Sequence, residues 1–153
     1  MRLKEIYELL NTLSPFEIQE KWDNAGLLVG TLEKKKKSVY LSIDLDLELV
    51  STFEENSLVI THHPLIFSGL KKVNYNTYST KLLRELIKKN ISLISMHTNI
   101  DKSHLNKYFI ENILGFKIIN TNEFISYCDV NMNFNELVKY VSLKVGLKTT
   151  KVV

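Results

Sequence analysis

Three short runs rich in β-branched residues, SVYLSID at 38–44, SLVIT at 57–61 and ISLIS at 91–95, alternate along the chain with segments of helical spacing. Runs this short and this β-branched form strands rather than helices. Strands that alternate with helices pair in parallel, with helices packed on the sheet. The pattern therefore predicts an α/β fold, a three-layer α/β/α arrangement around a largely parallel sheet.

The helices follow from spacing and capping. Leu3, Ile6, Leu10 and Leu13 recur at three- and four-residue steps and predict an amphipathic helix over 2–13. In SPFE, Ser14 reads as an N-cap, Pro15 as the first helical residue and Glu17 as the partner of a capping box, for a short helix reaching about Lys21. WDNAGLLVG reads as a loop entering a strand that ends at Gly30. A helix is expected over 46–55, and STKLLRELIKKN places Leu82, Leu83, Leu86 and Ile87 on one helical face. Ser103 is expected to cap a helix carrying Leu105, Tyr108, Phe109 and Ile113, stopped by Gly115. Beyond FKIIN the sequence reads as a strand, a helix and the opening of another strand. The expected division is a metal-binding α/β domain over 1–123 and the start of a second, incomplete domain over 124–153.

Composition narrows the function classes. A chain of 153 residues can bury a real core, and its net charge of +3 is too mild to imply a nucleic-acid partner. The run EKKKKS at 33–38 reads as a solvated turn before a strand. No apolar run approaches the roughly 18–20 residues of a membrane span. The N-terminal segment carries two glutamates at helical spacing, unlike a targeting peptide. A single cysteine, Cys128, read as a small buried residue, suits a reducing cytoplasm. No Gly-rich phosphate loop and no G-x-S-x-G elbow is found.

The chemistry sits in the histidines. LVITHHP and LISMHTNID share one layout, an apolar strand followed by histidine at or just past its C-terminal end. Ligands of open α/β sheets gather beyond the carboxyl ends of the strands. If the two strands are neighbours, His62, His63, His97 and Asp101 converge on one rim. Side chains of adjacent residues in extended backbone diverge, so His62 and His63 are expected to serve two ions rather than one. Imidazole and carboxylate donors suit Zn, Fe, Mn, Ni or Co without choosing among them. Thr98 and Asn99 can hydrogen-bond the ligands. His104 reads as a helix-start residue and Asp101, alternatively, as a helix cap. Trp22 and Asp23 fit either a core anchor with a turn residue or the wall of a site. No catalytic or substrate-binding residue is assigned by pattern.

EKWDNAGLLVG, VITHHPLIFSGLKKV and MHTNID, in this order and at these separations, resemble the dinuclear-metal family of GTP cyclohydrolase I type 2 homologues, the NGG-interacting-factor-like hexameric proteins. The resemblance spans residues 1 to about 115 and continues weakly to the end. It implies a two-domain α/β subunit, a toroidal homohexamer and two divalent metal ions per subunit. It assigns metal ligation to His62, His63 and Asp101 and a neighbouring or weak-ligand role to His97. It also implies a hydrolase on a nucleotide such as GTP, opening the imidazole ring with release of formate. The alternative is a metal-stabilised oligomeric scaffold or regulatory protein without turnover. Two departures stand out. The segment after Asp101, DKSHLNKYF, lacks the family's usual glycines, and the family's C-terminal histidine and glutamate ligands have no counterpart here. The sequence is therefore expected to be a shortened or partial member in which the second ion is weakly held.

Overall fold

The computed structural model describes residues 1–148. The chain forms two compact units, Met1–Ile100 and Asp101 onward. The expected boundary at 123 falls instead in the turn between two strands that pair with each other.

The first unit contains α1 (Leu3–Leu13), β1 (Gly26–Val29), β2 (Val39–Ser42), α2 (Leu47–Thr52), β3 (Leu58–Thr61), α3 (Tyr78–Lys88), β4 (Ser92–Ser95) and the short α4 (Thr98–Ile100). The strands order as β1-β4-β3-β2. β2, β3 and β4 run parallel, and β1 joins the edge antiparallel to β4. The sheet is thus largely parallel.

Side-chain alternation along the strands explains the layers. Val59 and Leu93 point into a cluster with Val50, Phe53, Leu82, Leu83 and Leu86, which brings α2 and α3 onto one face. Leu58 and Ile94 point the other way, into a cluster with Leu3, Phe16 and Met96 that carries α1. Helices cover both faces, and a sheet buried on both sides needs near-continuous apolar strands, which these are.

Local chemistry overrides the sequence pattern at several points. No second helix runs from Ser14 to Lys21. Ser14 is the C-cap of α1, and only one 3₁₀ turn follows, Phe16–Ile18. The Asn11 side chain accepts the Phe16 N–H at 2.9 Å, while the Gln19 side chain donates to the Phe16 carbonyl and accepts from Ala25 N–H. Glu20 N–H, which a longer helix would have directed to the Phe16 carbonyl, donates instead to Thr98 Oγ1 at 2.9 Å. Ile87 is 60% exposed, outside the buried face of α3. The lysine run is not a solvated turn throughout. Lys36 is only 3% exposed, and its ammonium donates to the Asn90 carbonyl at 2.8 Å.

The second unit contains a π-helical segment Asp101–Leu105, α5 (Asn106–Tyr108), a second π-helical segment Phe109–Leu114, the hairpin β5 (Ile118–Asn122) with β6 (Ile125–Cys128), and α6 (Phe134–Lys144). Asp101 and Ser103 both lie within helical backbone, not at a helix start as expected. Gly115 ends the segment at φ +74°, as glycine permits. Tyr140 of α6 donates to the Leu114 carbonyl at 2.7 Å, and Asn133 with Glu136 forms a full capping box. Cys128 is half-buried on β6, not enclosed. The strand expected to open at the C-terminal end lies outside the described residues.

Candidate metal centre

Register builds the site. Leu58 pairs with Ser92 and Thr61 with Ser95, so β3 and β4 end side by side. Their hydroxyls bond to each other at 2.9 Å, and Met96 N–H donates to the Thr61 carbonyl at 2.8 Å. The residues that follow, His62 and His63 on one strand and His97 on the other, therefore emerge at one rim.

The three histidines meet there. One ligand atom from each lies within 4.8 Å of the others. The ring centroids of His62 and His63 are 4.8 Å apart, those of His62 and His97 5.2 Å and those of His63 and His97 5.6 Å. The neighbouring rings do not diverge as extended backbone would require. Strand geometry ends at Thr61, and the chain bends at His62–His63, where Thr61 Oγ1 donates to the His63 carbonyl at 2.9 Å.

Each ring is held through Nδ1. His62 Nδ1 lies 3.0 Å from the Met96 carbonyl, His63 Nδ1 2.7 Å from Asp44 Oδ1 and His97 Nδ1 2.8 Å from Asp23 Oδ1. A carbonyl or carboxylate can only accept, so Nδ1 carries the proton and the neutral ring keeps its lone pair on Nε2. This is the tautomer and orientation that metal-binding histidines adopt through their outer partners. Three imidazoles so poised fit a divalent first-row ion.

The two carboxylates differ. Asp44, just past the end of β2, pairs with His63 in the open, the two side chains being 70% and 51% exposed. The Asp23 side chain is fully buried. Burial raises its pKa, but hydrogen bonds from Thr98, His97 and Asn24 together outweigh it and hold the carboxyl below its ordinary value. Its Oδ2 takes both the N–H and the hydroxyl of Thr98, so Asp23 also caps the start of α4. Asn99 accepts the His97 N–H at 3.0 Å and donates to the Ser14 carbonyl at 2.9 Å.

Of the residues marked in the sequence, His62, His63 and His97 come together, while Thr98 bonds Asp23 rather than a histidine and Asn99 accepts the His97 backbone N–H. Asp101 is half-buried at the first position of the second unit. His104 is exposed, with Nδ1 2.8 Å from Ser103 Oγ. Asp23 supports the site from below, while Trp22 stands beside it, its ring centroid 6.4 Å from that of His97. Asp44 was not marked by sequence reasoning. Its place two residues past the end of β2, the strand next to the one that leads to His62 and His63, was the available signal.

Comparison with known proteins agrees with this architecture. The family model for Duf34/NIF3 (NGG1p interacting factor 3) matches residues 1–153. A Campylobacter jejuni protein named GTP cyclohydrolase 1 type 2 homolog is 51% identical over 152 residues, covering 99% of this chain and 63% of its own length. A Helicobacter pylori protein named GTP cyclohydrolase 1 type 2 is 43% identical over 146 residues, covering 95% of this chain and 60% of its own. Among solved structures, reduced HcgD from Methanocaldococcus jannaschii superposes with a TM-score of 0.77 at 26% identity, covering 94% of this chain and 60% of that one. The chain thus spans somewhat under two thirds of the length of these three proteins.

Proposed function

This chain belongs to the Duf34/NIF3 family, and on that premise we propose that it binds divalent metal and serves as a metal-dependent hydrolase on a nucleotide such as GTP. The observation that carries the reading is the histidine trio with every Nδ1 engaged by an acceptor. The names of the relatives at 51% and 43% identity support the nucleotide half of it.

His62, His63 and Asp101 are the proposed ligands, with His97 as a weaker ligand or an immediate neighbour. One ion with a second held more weakly, the homohexamer expected of the full-length family, and a cytoplasmic setting belong to the same proposal. For the setting, the support is that no described helix is long and apolar enough to cross a membrane. When bound, divalent ions supply Lewis acidity and acidify a nearby water. The protein supplies position. Met96, Asp44 and Asp23 fix the three rings before metal arrives, so little orientation is lost on binding. For ring opening of the cyclohydrolase type, the buried Asp23 keeps the His97 proton on Nδ1 and its basic nitrogen toward the cluster.

A second reading has its own support. The three rings come from the ends of two adjacent strands, and an ion shared by them would tie those ends together, turning binding free energy into folding free energy. A scaffold or regulatory protein would use the site in this way.

The test starts with metal content by elemental mass spectrometry, on protein purified without chelator or histidine tag, followed by formate release from GTP. Metal together with formate that disappears in His62→Ala and His63→Ala supports the hydrolase. Metal without turnover, and a fall in thermal stability on chelation, supports the scaffold. A metal-free protein that does not take up added Zn, Fe or Mn sinks both.

A further inference from the structure

The aromatic pair beside the histidines is the feature that the metal centre does not explain. Trp22 is 59% exposed and Phe67 is 49% exposed. Leaving this much aromatic surface in water is costly unless something covers it. Yet the two segments that carry the rings are firmly tied. Asp23, next to Trp22, is bonded to His97 and Thr98. Asn24 donates to the carbonyl of Ile66, the residue before Phe67. Backbone is thus fixed on one side of each ring, while the rings themselves remain uncovered.

The rings form an open wedge. Their centroids are 5.9 Å apart and their planes are inclined at 49°. Both present an edge-to-face arrangement to His97, at 6.4 Å for Trp22 and 6.3 Å for Phe67. A planar ring can stack on one wall while meeting the other edge-on, the two geometries that aromatic quadrupoles favour. The wedge opens directly beside the proposed metal ligands. Exposed lysines flank it in sequence, Lys21 before Trp22 and Lys71 and Lys72 after Phe67. They add positive charge to the surrounding loops, as an anionic ligand would require.

We infer that Trp22 and Phe67 are the stacking clamp for a purine base, which places the heterocycle of a nucleotide beside the histidine cluster. The inference rests on the reading of that cluster as a nucleotide-acting metal site, but binding by the clamp needs no metal and can be tested apart from it. Stacking is tolerant of ring identity, so the clamp sets substrate class while leaving selection among purines to other contacts.

Trp22 is the chain's single tryptophan, so its emission reports on the wedge directly. The experiment titrates guanosine, guanosine monophosphate and ribose 5-phosphate into the chain, once with chelator and once with added zinc, and follows that emission. Metal content is measured on the same samples. Saturable quenching by guanosine and its monophosphate, with none by ribose 5-phosphate, is the expected result. Phe67→Ala, which leaves Trp22 as reporter, should weaken guanosine binding about ten-fold, whereas Phe67→Tyr should retain it. The inference is overturned if guanosine leaves the emission unchanged in both metal states, if ribose 5-phosphate quenches as well as the monophosphate, or if Phe67→Ala binds guanosine as tightly as the parent. A change of oligomeric state in Phe67→Ala would also overturn it, since the rings would then be covered by a second copy. Bound metal without quenching sinks the clamp and spares the metal reading, and quenching in a chain that never takes up metal does the reverse.

Discussion

Asp23 reaches across 74 residues of sequence to hold His97, its Oδ1 2.8 Å from Nδ1, while its other oxygen secures Thr98. One buried carboxylate therefore sets the orientation of a cluster histidine and the start of the helix behind it. Asp23→Asn keeps the shape but replaces one oxygen by a donor, which cannot satisfy both an Nδ1–H and the Thr98 groups. Metal affinity should fall about 10- to 100-fold, the usual cost of losing such a partner. A chelator-competition titration measures this. Unchanged affinity would mean that His97 takes no part in holding the ion.

Asp44 holds His63 at a similar distance, 2.7 Å, but in solvent. An exposed pair is screened and contributes little on its own. Asp44→Ala should accordingly weaken metal binding only a few-fold, clearly less than Asp23→Asn in the same titration, with no loss of thermal stability. A larger effect than that of Asp23→Asn would show that exposure does not govern the ranking of these carboxylates.

These two carboxylates also mark the limit of what the sequence discloses. Strands and their flanking helices were legible because burial on both sheet faces demands continuous apolar runs such as SLVIT and ISLIS, and the strand ends exposed the histidines. The convergence of His62, His63 and His97 followed from parallel register. Asp23 and Asp44 were not assignable to ring partners because they come from other segments, 74 and 19 residues away from the histidines they hold. The missing helix after Ser14 has the same origin. SPFE satisfies every local rule for a helix start, but the Glu20 N–H that would extend the helix is taken by Thr98, 78 residues away. Lys36 was misjudged because its burial depends on Asn90, 54 residues distant.

Gly30 and Ser92 form a close contact that tolerates no added carbon. A Cβ on Gly30 would stand 2.2 Å from Ser92 Oγ and 2.9 Å from Ser92 Cβ, at a backbone φ of +108°. Gly30→Ala should destabilise the protein by about 2–4 kcal/mol, combining overpacking with a strained backbone. Ser92 Oγ is buried without a hydrogen-bond partner. Ser92→Ala removes that orphan and should be neutral or stabilising by up to about 1 kcal/mol. Denaturant unfolding of both variants and of the double variant provides the check. Part of the Gly30→Ala loss should be recovered in the double variant, because the hydroxyl clash is gone while the backbone strain and the Cβ contact remain.

Lys36 gives the fold a pH dependence of definite sign. Burial first, and the nearby charge of Lys34 second, lower its pKa below the ordinary lysine value. Its ammonium is partly compensated by the Asn90 backbone carbonyl, while the neighbouring Lys34 donates to Asn90 Oδ1 at 2.9 Å. A lysine whose folded pKa is lowered binds fewer protons in the folded chain than in the unfolded one. Stability attributable to it therefore rises as pH rises through the folded value, and levels off above the unfolded value of about 10.4. Lys36→Met keeps the apolar stem and removes the titration. Parent and variant should be compared by denaturant unfolding from neutral pH to about pH 10, with metal chelated throughout so that ligand protonation does not enter. The parent should gain on the variant as the pH increases. Parallel curves, or a gain at the acidic end, would show that the Lys36 ammonium is as well solvated in the fold as in the open chain.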